Sequence, residues 1–117
     1  MQKQKCKDLR GWKLEEALGF LRELQPKIQE AGFGLAILGS VLFMGESEKD
    51  LDMGVFPLNA SKYDLGELRA ALEKAGMKQI FKHYEIQSFW ARQGSTDCKM
   101  VEVWSYYGQR IDVFYFR

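Results

Sequence analysis

Two aspartates, Asp50 and Asp52, interrupt a segment that is otherwise apolar. Residues 50–56 have the composition of a β-strand that Pro57 closes, although aspartate is depleted in strands. Because side chains alternate along a strand, both carboxylates point to one face and the apolar residues between them point to the other. Two like charges one pleat apart repel each other. A divalent cation, Mg²⁺ or Mn²⁺, relieves that repulsion, since hard cations take oxygen ligands.

A third carboxylate, Asp112, stands alone in the last apolar segment of the chain, beside Ile111 and Val113. If this strand pairs beside the one that carries Asp50 and Asp52, three carboxylates converge on one spot. Such a cluster can hold two metal ions and support an in-line displacement at phosphorus.

The sequence Leu38-Gly39-Ser40 predicts a strand, a tight turn and then a short helix from Val41. Gly39 lets the backbone approach a ligand closely, and the amides that open a helix can bind an anion. The Ser40 hydroxyl adds one hydrogen bond. Taken alone, Gly-Ser after a strand is common turn chemistry, and an aspartate on a strand can protect an exposed sheet edge. The combination in this order favours a metal and phosphate site.

These motifs resemble the nucleotidyltransferase superfamily with the polymerase-beta-like fold. The shared pattern is an apolar residue, Gly and Ser, a spacer, an acidic-apolar-acidic strand, and a later acidic residue. The resemblance covers about residues 34–117. Relatives usually carry basic residues soon after Gly-Ser and append a helical domain, whereas here Val41-Leu42-Phe43-Met44 follows.

The resemblance implies a role for each matched residue. Asp50 and Asp52 would bind the metals that clamp a nucleoside triphosphate, and Asp112 would complete a metal site and act as the base on the attacking hydroxyl. Gly39 and Ser40 would seat the β and γ phosphates. Lys49, the first positive charge after Gly-Ser, could neutralise phosphate from its loop.

The surrounding pattern predicts an α/β (α+β) fold, with helices packed on a mixed sheet. A helical stripe begins near Lys13 and ends at Gly32, and Pro26 should kink or shorten this helix. Residues 35–38 read as a buried strand. The capping pair Asp64 and Glu67 begins a second helix that ends at Gly76. The remaining strands are predicted at residues 77–84, 86–92, 100–106 and 110–116, with a hairpin turn at residues 107–109.

Composition limits the classes of function. A length of 117 residues favours a single domain, with a basic N-terminal segment at residues 1–12. The net charge of +1 does not indicate a positive field for binding nucleic acid. No apolar run is long enough to span a membrane, and no signal peptide is indicated. Cys6 and Cys98 favour free thiols in a reducing cytoplasm over a disulfide, and ligands for a zinc site are lacking.

Several other residues have a functional and a structural interpretation. His83 is expected to be an ordinary strand residue rather than a catalytic base. Five aromatic residues could stack on a base but are expected to pack in the core: Phe89, Trp90, Trp104, Tyr106 and Tyr107. Arg110 shares a strand face with Asp112, and the pattern leaves open whether it contacts phosphate or pairs with that aspartate.

Two functions follow as hypotheses. The first is a minimal metal-dependent nucleotidyltransferase that moves a nucleoside monophosphate from a nucleoside triphosphate to an unidentified hydroxyl acceptor. The second is an interaction protein of the same fold that is catalytically weak or depends on a partner, as in toxin–antitoxin pairs with a small helical protein. The apolar run after Gly39-Ser40 motivates the second hypothesis, together with the expectation that 117 residues leave no room for an appended helical domain. A dimer mate or a helical protein would then supply that surface.

Overall fold

The computed structural model describes residues 9–59, 64–81 and 98–116. The elements, in chain order, are three helices and seven strands in these ranges: β1 (Trp12–Lys13), α1 (Leu14–Glu30), β2 (Phe33–Leu38), α2 (Gly39–Met44), β3 (Glu46–Ser47), β4 (Leu51–Pro57), α3 (Leu65–Lys74), β5 (Met77–Phe81), β6 (Cys98–Tyr106) and β7 (Gln109–Phe116). His83, Phe89, Trp90, Cys6 and the strand predicted at residues 86–92 lie outside the described residues.

Five strands form a mixed sheet in the order β2-β4-β7-β6-β5. The central pair, β4 and β7, is parallel, and the other neighbours are antiparallel. β1 and β3 form a separate two-stranded ladder. The prediction of a mixed sheet with packed helices is confirmed.

Alternation along the central strands separates an apolar face from the face that carries the acidic residues. The side chains of Leu51, Met53 and Val55 are fully buried, and they join the core that α1 and α3 cover. Burying an aliphatic side chain of this size contributes roughly 1.5–3 kcal/mol. The apolar face therefore fixes the register of β4, and with it the opposite direction of Asp52.

Pro26 does not shorten α1, which runs to Glu30. The carbonyl that loses its intrahelical donor belongs to Arg22, one turn earlier, and both Arg22 and Pro26 are exposed. Water can hydrate this carbonyl, so the expected interruption is avoided. The helix ends where predicted: Gly32 has a φ of +91° and donates its backbone N–H to the Gln29 carbonyl.

The second predicted helix is confirmed as α3. Asp64 precedes it in an extended conformation, and its Oδ1 accepts a hydrogen bond from the backbone N–H of Glu67 at 3.2 Å. The helix buries Leu68 and Leu72 against the sheet, and Gly76 follows its end with a φ of +101°. Local capping and one apolar stripe are sufficient to specify this element.

A buried polar cluster joins α3 to the sheet. The Glu102 side chain is 2% exposed. Its Oε1 accepts hydrogen bonds from Trp104 Nε1 and from the Tyr115 hydroxyl. Its Oε2 accepts two hydrogen bonds from the Arg69 guanidinium. Burial, followed by the charge of Glu102 and its hydrogen bond, raises the pKa of Tyr115. Every Glu102 oxygen is therefore satisfied, as a buried carboxylate requires.

The predicted hairpin is also present. Tyr106 pairs with Gln109, and the turn consists of Tyr107 and Gly108, which have φ values of +46° and +84°. Two left-handed residues are typical of the turn that matches the twist of a two-residue hairpin. In the part of the chain that the structure describes, no helix combines the length and apolarity needed to cross a membrane.

Candidate metal and phosphate site

The acidic cluster forms where β4 and β7 run side by side. Asp52 pairs with Asp112 in the parallel register, so the two side chains leave the sheet on the same face. Asp50 lies just before β4. One carboxylate oxygen from each of the three residues can be chosen so that all lie within 4.8 Å of one another. The expectation that the three carboxylates converge is confirmed.

Asp50 is held by a loop rather than by the strand in which it was predicted. β4 begins at Leu51, and the Ser47 hydroxyl oxygen accepts hydrogen bonds from the backbone N–H groups of Lys49 and Asp50, each at 3.3 Å. A serine commonly organises the two or three residues that follow it in this way. Ser47 is therefore a positioning residue that the motif pattern did not identify, although Ser followed by a polar turn was its signal.

Crowding of the carboxylates changes their titration. Burial, the charges of Asp112 and Asp52, and a hydrogen bond with Asp112 raise the pKa of Asp50 to about 7, with Arg110 acting in the opposite direction. Burial and the charge of Asp112 raise the pKa of Asp52 to about 6, again against Arg110. Burial is thus the largest cause of both shifts, and repulsion among the carboxylates adds to it; a bound cation would relieve that repulsion.

Arg110 is the positive group that the structure places on this cluster. Its Nε donates to Asp112 Oδ1 at 2.8 Å and its second guanidinium nitrogen donates to Asp112 Oδ2 at 3.2 Å, while Nε lies 3.9 Å from Asp50 Oδ2. Its backbone is fixed from the other side, because the Arg110 carbonyl accepts a hydrogen bond from Trp12 Nε1 at 2.8 Å. Of the two interpretations of Arg110, pairing with Asp112 is therefore the one observed.

Gly39 begins α2 immediately beside the cluster. Leu38 pairs with Asp52 across β2 and β4, which places the turn next to that carboxylate. Gly39 has a φ of +69°, and a Cβ atom at this position would collide with Asp52 Oδ2. Glycine is thus required twice, by the left-handed backbone and by the space that the carboxylate occupies. The helix begins at Gly39, two residues earlier than predicted.

The two remaining predicted phosphate contacts, Ser40 and Lys49, are exposed. Ser40 follows Gly39 in the first turn of α2. Lys49 lies in the connection between β3 and β4, and in the described ranges its side chain forms no ion pair with the cluster. The geometry brings Ser40 and Gly39 to one turn and leaves the Lys49 side chain in solvent.

The rest of α2 presents an apolar surface to solvent. Only Val41 is buried, whereas Phe43 and Met44 are 82% and 76% exposed, and Leu42 is also exposed. Large exposed apolar groups in a cluster are typical of interaction surfaces. This apolar surface of α2 consists of Leu42, Phe43 and Met44 and begins three residues after Gly39.

The described aromatic residues have structural positions. Trp104 is fully buried, and Tyr106 packs against Trp12 and Phe20, with ring centroids 6.3 and 4.4 Å apart. Their predicted place in the core is confirmed. Tyr107 is exposed in the hairpin turn, contrary to that expectation, because its left-handed turn position directs it away from the sheet.

β2 also departs from the sequence interpretation. Residues 35–38 were expected to form a fully buried strand, but the structure places them at a sheet edge, where they are half-buried. An apolar run is compatible with either position when one face of the strand is covered. Here α1 covers that face, and the edge itself is not paired with any described strand.

Comparison with known proteins shows the fold. No protein-family model and no curated protein matches the chain. Among solved structures, it is similar to a crystal structure of Leishmania infantum polymerase beta in a ternary P/T complex, with a TM-score of 0.58 and 16% sequence identity. The likeness covers 93% of this chain and 44% of that chain, so this chain spans less than half of the polymerase. The chain therefore has a polymerase-beta-like fold.

Proposed function

We propose that the protein is a minimal, metal-dependent nucleotidyltransferase. The observation that carries the proposal is the register between Asp52 and Asp112, which assembles three carboxylates directly beside the Gly39 turn. An acidic cluster alone is common on protein surfaces. An acidic cluster next to a backbone turn that only glycine can form supplies both the cation ligands and the close approach that a metal-bound polyphosphate needs.

The donor set fits a hard divalent cation. Asp50, Asp52 and Asp112 offer only oxygen ligands. Burial, followed by the charge of Asp112, raises the pKa of Asp50 to about 7 and that of Asp52 to about 6. These three residues would hold Mg²⁺ or Mn²⁺. When bound, the metal supplies neutralisation of the charge on the triphosphate.

The protein's own groups would orient the reactants. The Gly39 and Ser40 amides and the Ser40 hydroxyl would bind the β and γ phosphates, and Lys49 would approach them from its solvent-exposed loop. The acceptor hydroxyl oxygen forms a bond to the α-phosphorus as the bond to pyrophosphate breaks, and Asp112 takes the hydroxyl proton. Arg110 uses one lone pair on each Asp112 oxygen and the hydrogen bond with Asp50 uses a third, so one lone pair of the carboxylate remains for this proton.

Calorimetry tests the nucleotide-binding step. The protein is titrated with ATP, GTP, CTP and UTP, with and without Mg²⁺ or Mn²⁺, alongside the double variant Asp50→Asn, Asp52→Asn. Glu48→Gln is the matched control, because Glu48 is an exposed carboxylate in the same loop. We expect metal-dependent binding of at least one nucleotide that the double variant loses and the control retains. Absence of binding to all four nucleotides with either metal would refute the proposal.

The exposed surface of α2 favours a second candidate, an interaction protein of this fold that works through a small helical partner. Phe43 and Met44 supply the apolar contacts that a helical partner would cover. Affinity purification of the chain and of the variant Phe43→Ser, Met44→Ser would detect a partner that depends on this surface. A partner-free monomer that transfers nucleotide at full rate would exclude this candidate.

A further inference from the structure

The two edges of the main sheet are built differently. β5 carries Lys78, and its register with β6 shifts between Gln79 and Phe81. A charge and an irregularity are the usual means by which proteins prevent an edge strand from pairing with another chain. β2 has neither: its sequence is Phe-Gly-Leu-Ala-Ile-Leu, and its register with β4 continues unshifted over all six residues.

The hydrogen-bonding groups on the outer edge of β2 can be identified from its pairing. The Leu58 backbone N–H donates to the Gly32 carbonyl at 2.8 Å, so this pair is of the hydrogen-bonded kind. Bonded and non-bonded pairs alternate in an antiparallel ladder. Gly34, Ala36 and Leu38 therefore bond to β4, whereas the N–H and C=O groups of Leu35 and Ile37 point outward.

No described element satisfies these outward groups. α1 covers the apolar face of the sheet, and α2, which directly follows β2, contacts β2, β3 and β4 without adding a strand to the edge. Within residues 9–59, 64–81 and 98–116, β2 pairs with β4 alone. The edge is thus an extended, uncharged strand with two N–H and two C=O groups available for pairing.

We propose that β2 of a second copy of this chain pairs antiparallel with this edge and joins the two sheets. The register that uses the outward groups places Leu35 opposite Ile37 of the second copy and Ala36 on the two-fold axis. Each Leu35–Ile37 pair exchanges two hydrogen bonds, and the symmetry creates two such pairs.

A second copy suits this edge for two reasons. An uncharged strand opposes its own copy without electrostatic repulsion, and the net charge of +1 contributes little repulsion between chains. A helix would leave the outward N–H and C=O groups of β2 without partners.

Charge substitutions on the axis test both the partner and the register. Sedimentation velocity of the full chain measures the dimer, and the variants Ala36→Lys and Ala36→Glu each place two like charges directly opposite. We expect each variant to dimerise at least about tenfold more weakly. An equimolar mixture should recover dimers, now as heterodimers, because opposite charges then face each other. Far-UV circular dichroism and thermal melting establish that each variant is folded.

Two further variants keep the test decisive. Ile37→Pro removes an outward N–H and keeps the β4 ladder, so it should abolish dimers without unfolding the protein. The variant Phe43→Ser, Met44→Ser should leave the dimer formed, because it does not touch the strand pairing. A wild-type chain that is monomeric at about 100 μM, or a dimer that is unchanged by both Ala36 substitutions, overturns the proposal. Loss of the dimer in the α2 variant alone does so too.

Discussion

Replacing Asp52 by asparagine is expected to stabilise the metal-free protein at pH 8. Burial and the negative charge of Asp112 raise the pKa of Asp52 from 3.8 to about 6, and Arg110 offsets only part of that effect. The difference between these values corresponds to about 3 kcal/mol of unfavourable interaction in the charged state. Asparagine removes the charge but remains a half-buried polar group. We therefore expect a gain of about 1–2 kcal/mol, or roughly 4–8 °C in Tm.

The gain should depend on pH in a defined direction. A carboxyl whose pKa is raised by folding keeps its proton in the native state from about pH 4 to pH 6, while the unfolded chain has lost it. The stability of the wild-type protein therefore falls as the pH rises through this window and is lowest above it. The Asp52→Asn variant lacks this contribution, so its advantage should be near zero at pH 4 and complete at pH 8.

Urea denaturation followed by circular dichroism at pH 4, 6 and 8, in the presence of EDTA, measures the effect. Glu48→Gln, at an exposed position between β3 and β4, controls for the loss of one negative charge. Addition of Mg²⁺ at pH 8 should reverse the order under the proposed function, because the wild-type cluster would bind the metal with three carboxylates and the variant would lack one of them. If Asp52→Asn destabilises the metal-free protein at pH 8, or if its gain is the same at pH 4, the electrostatic account of the site is wrong.

Three other changes test separate parts of the structure. Gly39→Ala should lower the free energy of unfolding by more than about 2 kcal/mol in urea denaturation. Gly45 is also left-handed but faces open space, so Gly45→Ala should cost only about 1 kcal/mol. Equal costs would contradict the collision with the Asp52 carboxylate that a Cβ atom at Gly39 implies. Asp112→Asn should abolish nucleotide transfer in a single-turnover assay and weaken triphosphate binding in calorimetry only modestly; equal loss of both would contradict its role as the base. Glu102→Gln should lower the free energy of unfolding by about 2 kcal/mol, because Arg69 loses its charged partner and is only partly solvated. An unchanged urea midpoint would show that the Arg69–Glu102 ion pair does not stabilise the packing of α3 on the sheet.

Sequence reasoning selected the candidate site residues because their chemistry contradicts their surroundings. Aspartates in apolar segments are unfavourable unless a cation or a hydrogen-bond donor compensates them, so Asp50, Asp52 and Asp112 stood out, and their combination with the Gly39 turn favoured a site. Gly39 was recognisable in the same way, from a strand that stops at glycine. A local pattern does not show which residues lie next to it in the folded protein. As far as the sequence was concerned, the partner of Arg110 could be Asp112 or a phosphate.

Elements specified by local interactions were predicted with their ends nearly correct. α3 is defined by Asp64, Glu67, one apolar stripe and Gly76, all within thirteen residues of each other, and the hairpin turn by Tyr107 and Gly108. These elements follow from the sequence because each cap and turn acts on backbone groups a few residues away.

Tertiary structure decided what depends on residues far apart in the chain. The pairing of Asp52 with Asp112 joins strands separated by about sixty residues, and only the order of strands in the sheet makes it parallel and adjacent. The same order places β2 at an edge, although its apolar sequence is equally suited to the centre of a sheet. The local sequence indicates which face of a strand is buried, but the order of the strands in the sheet depends on the packing of the whole core.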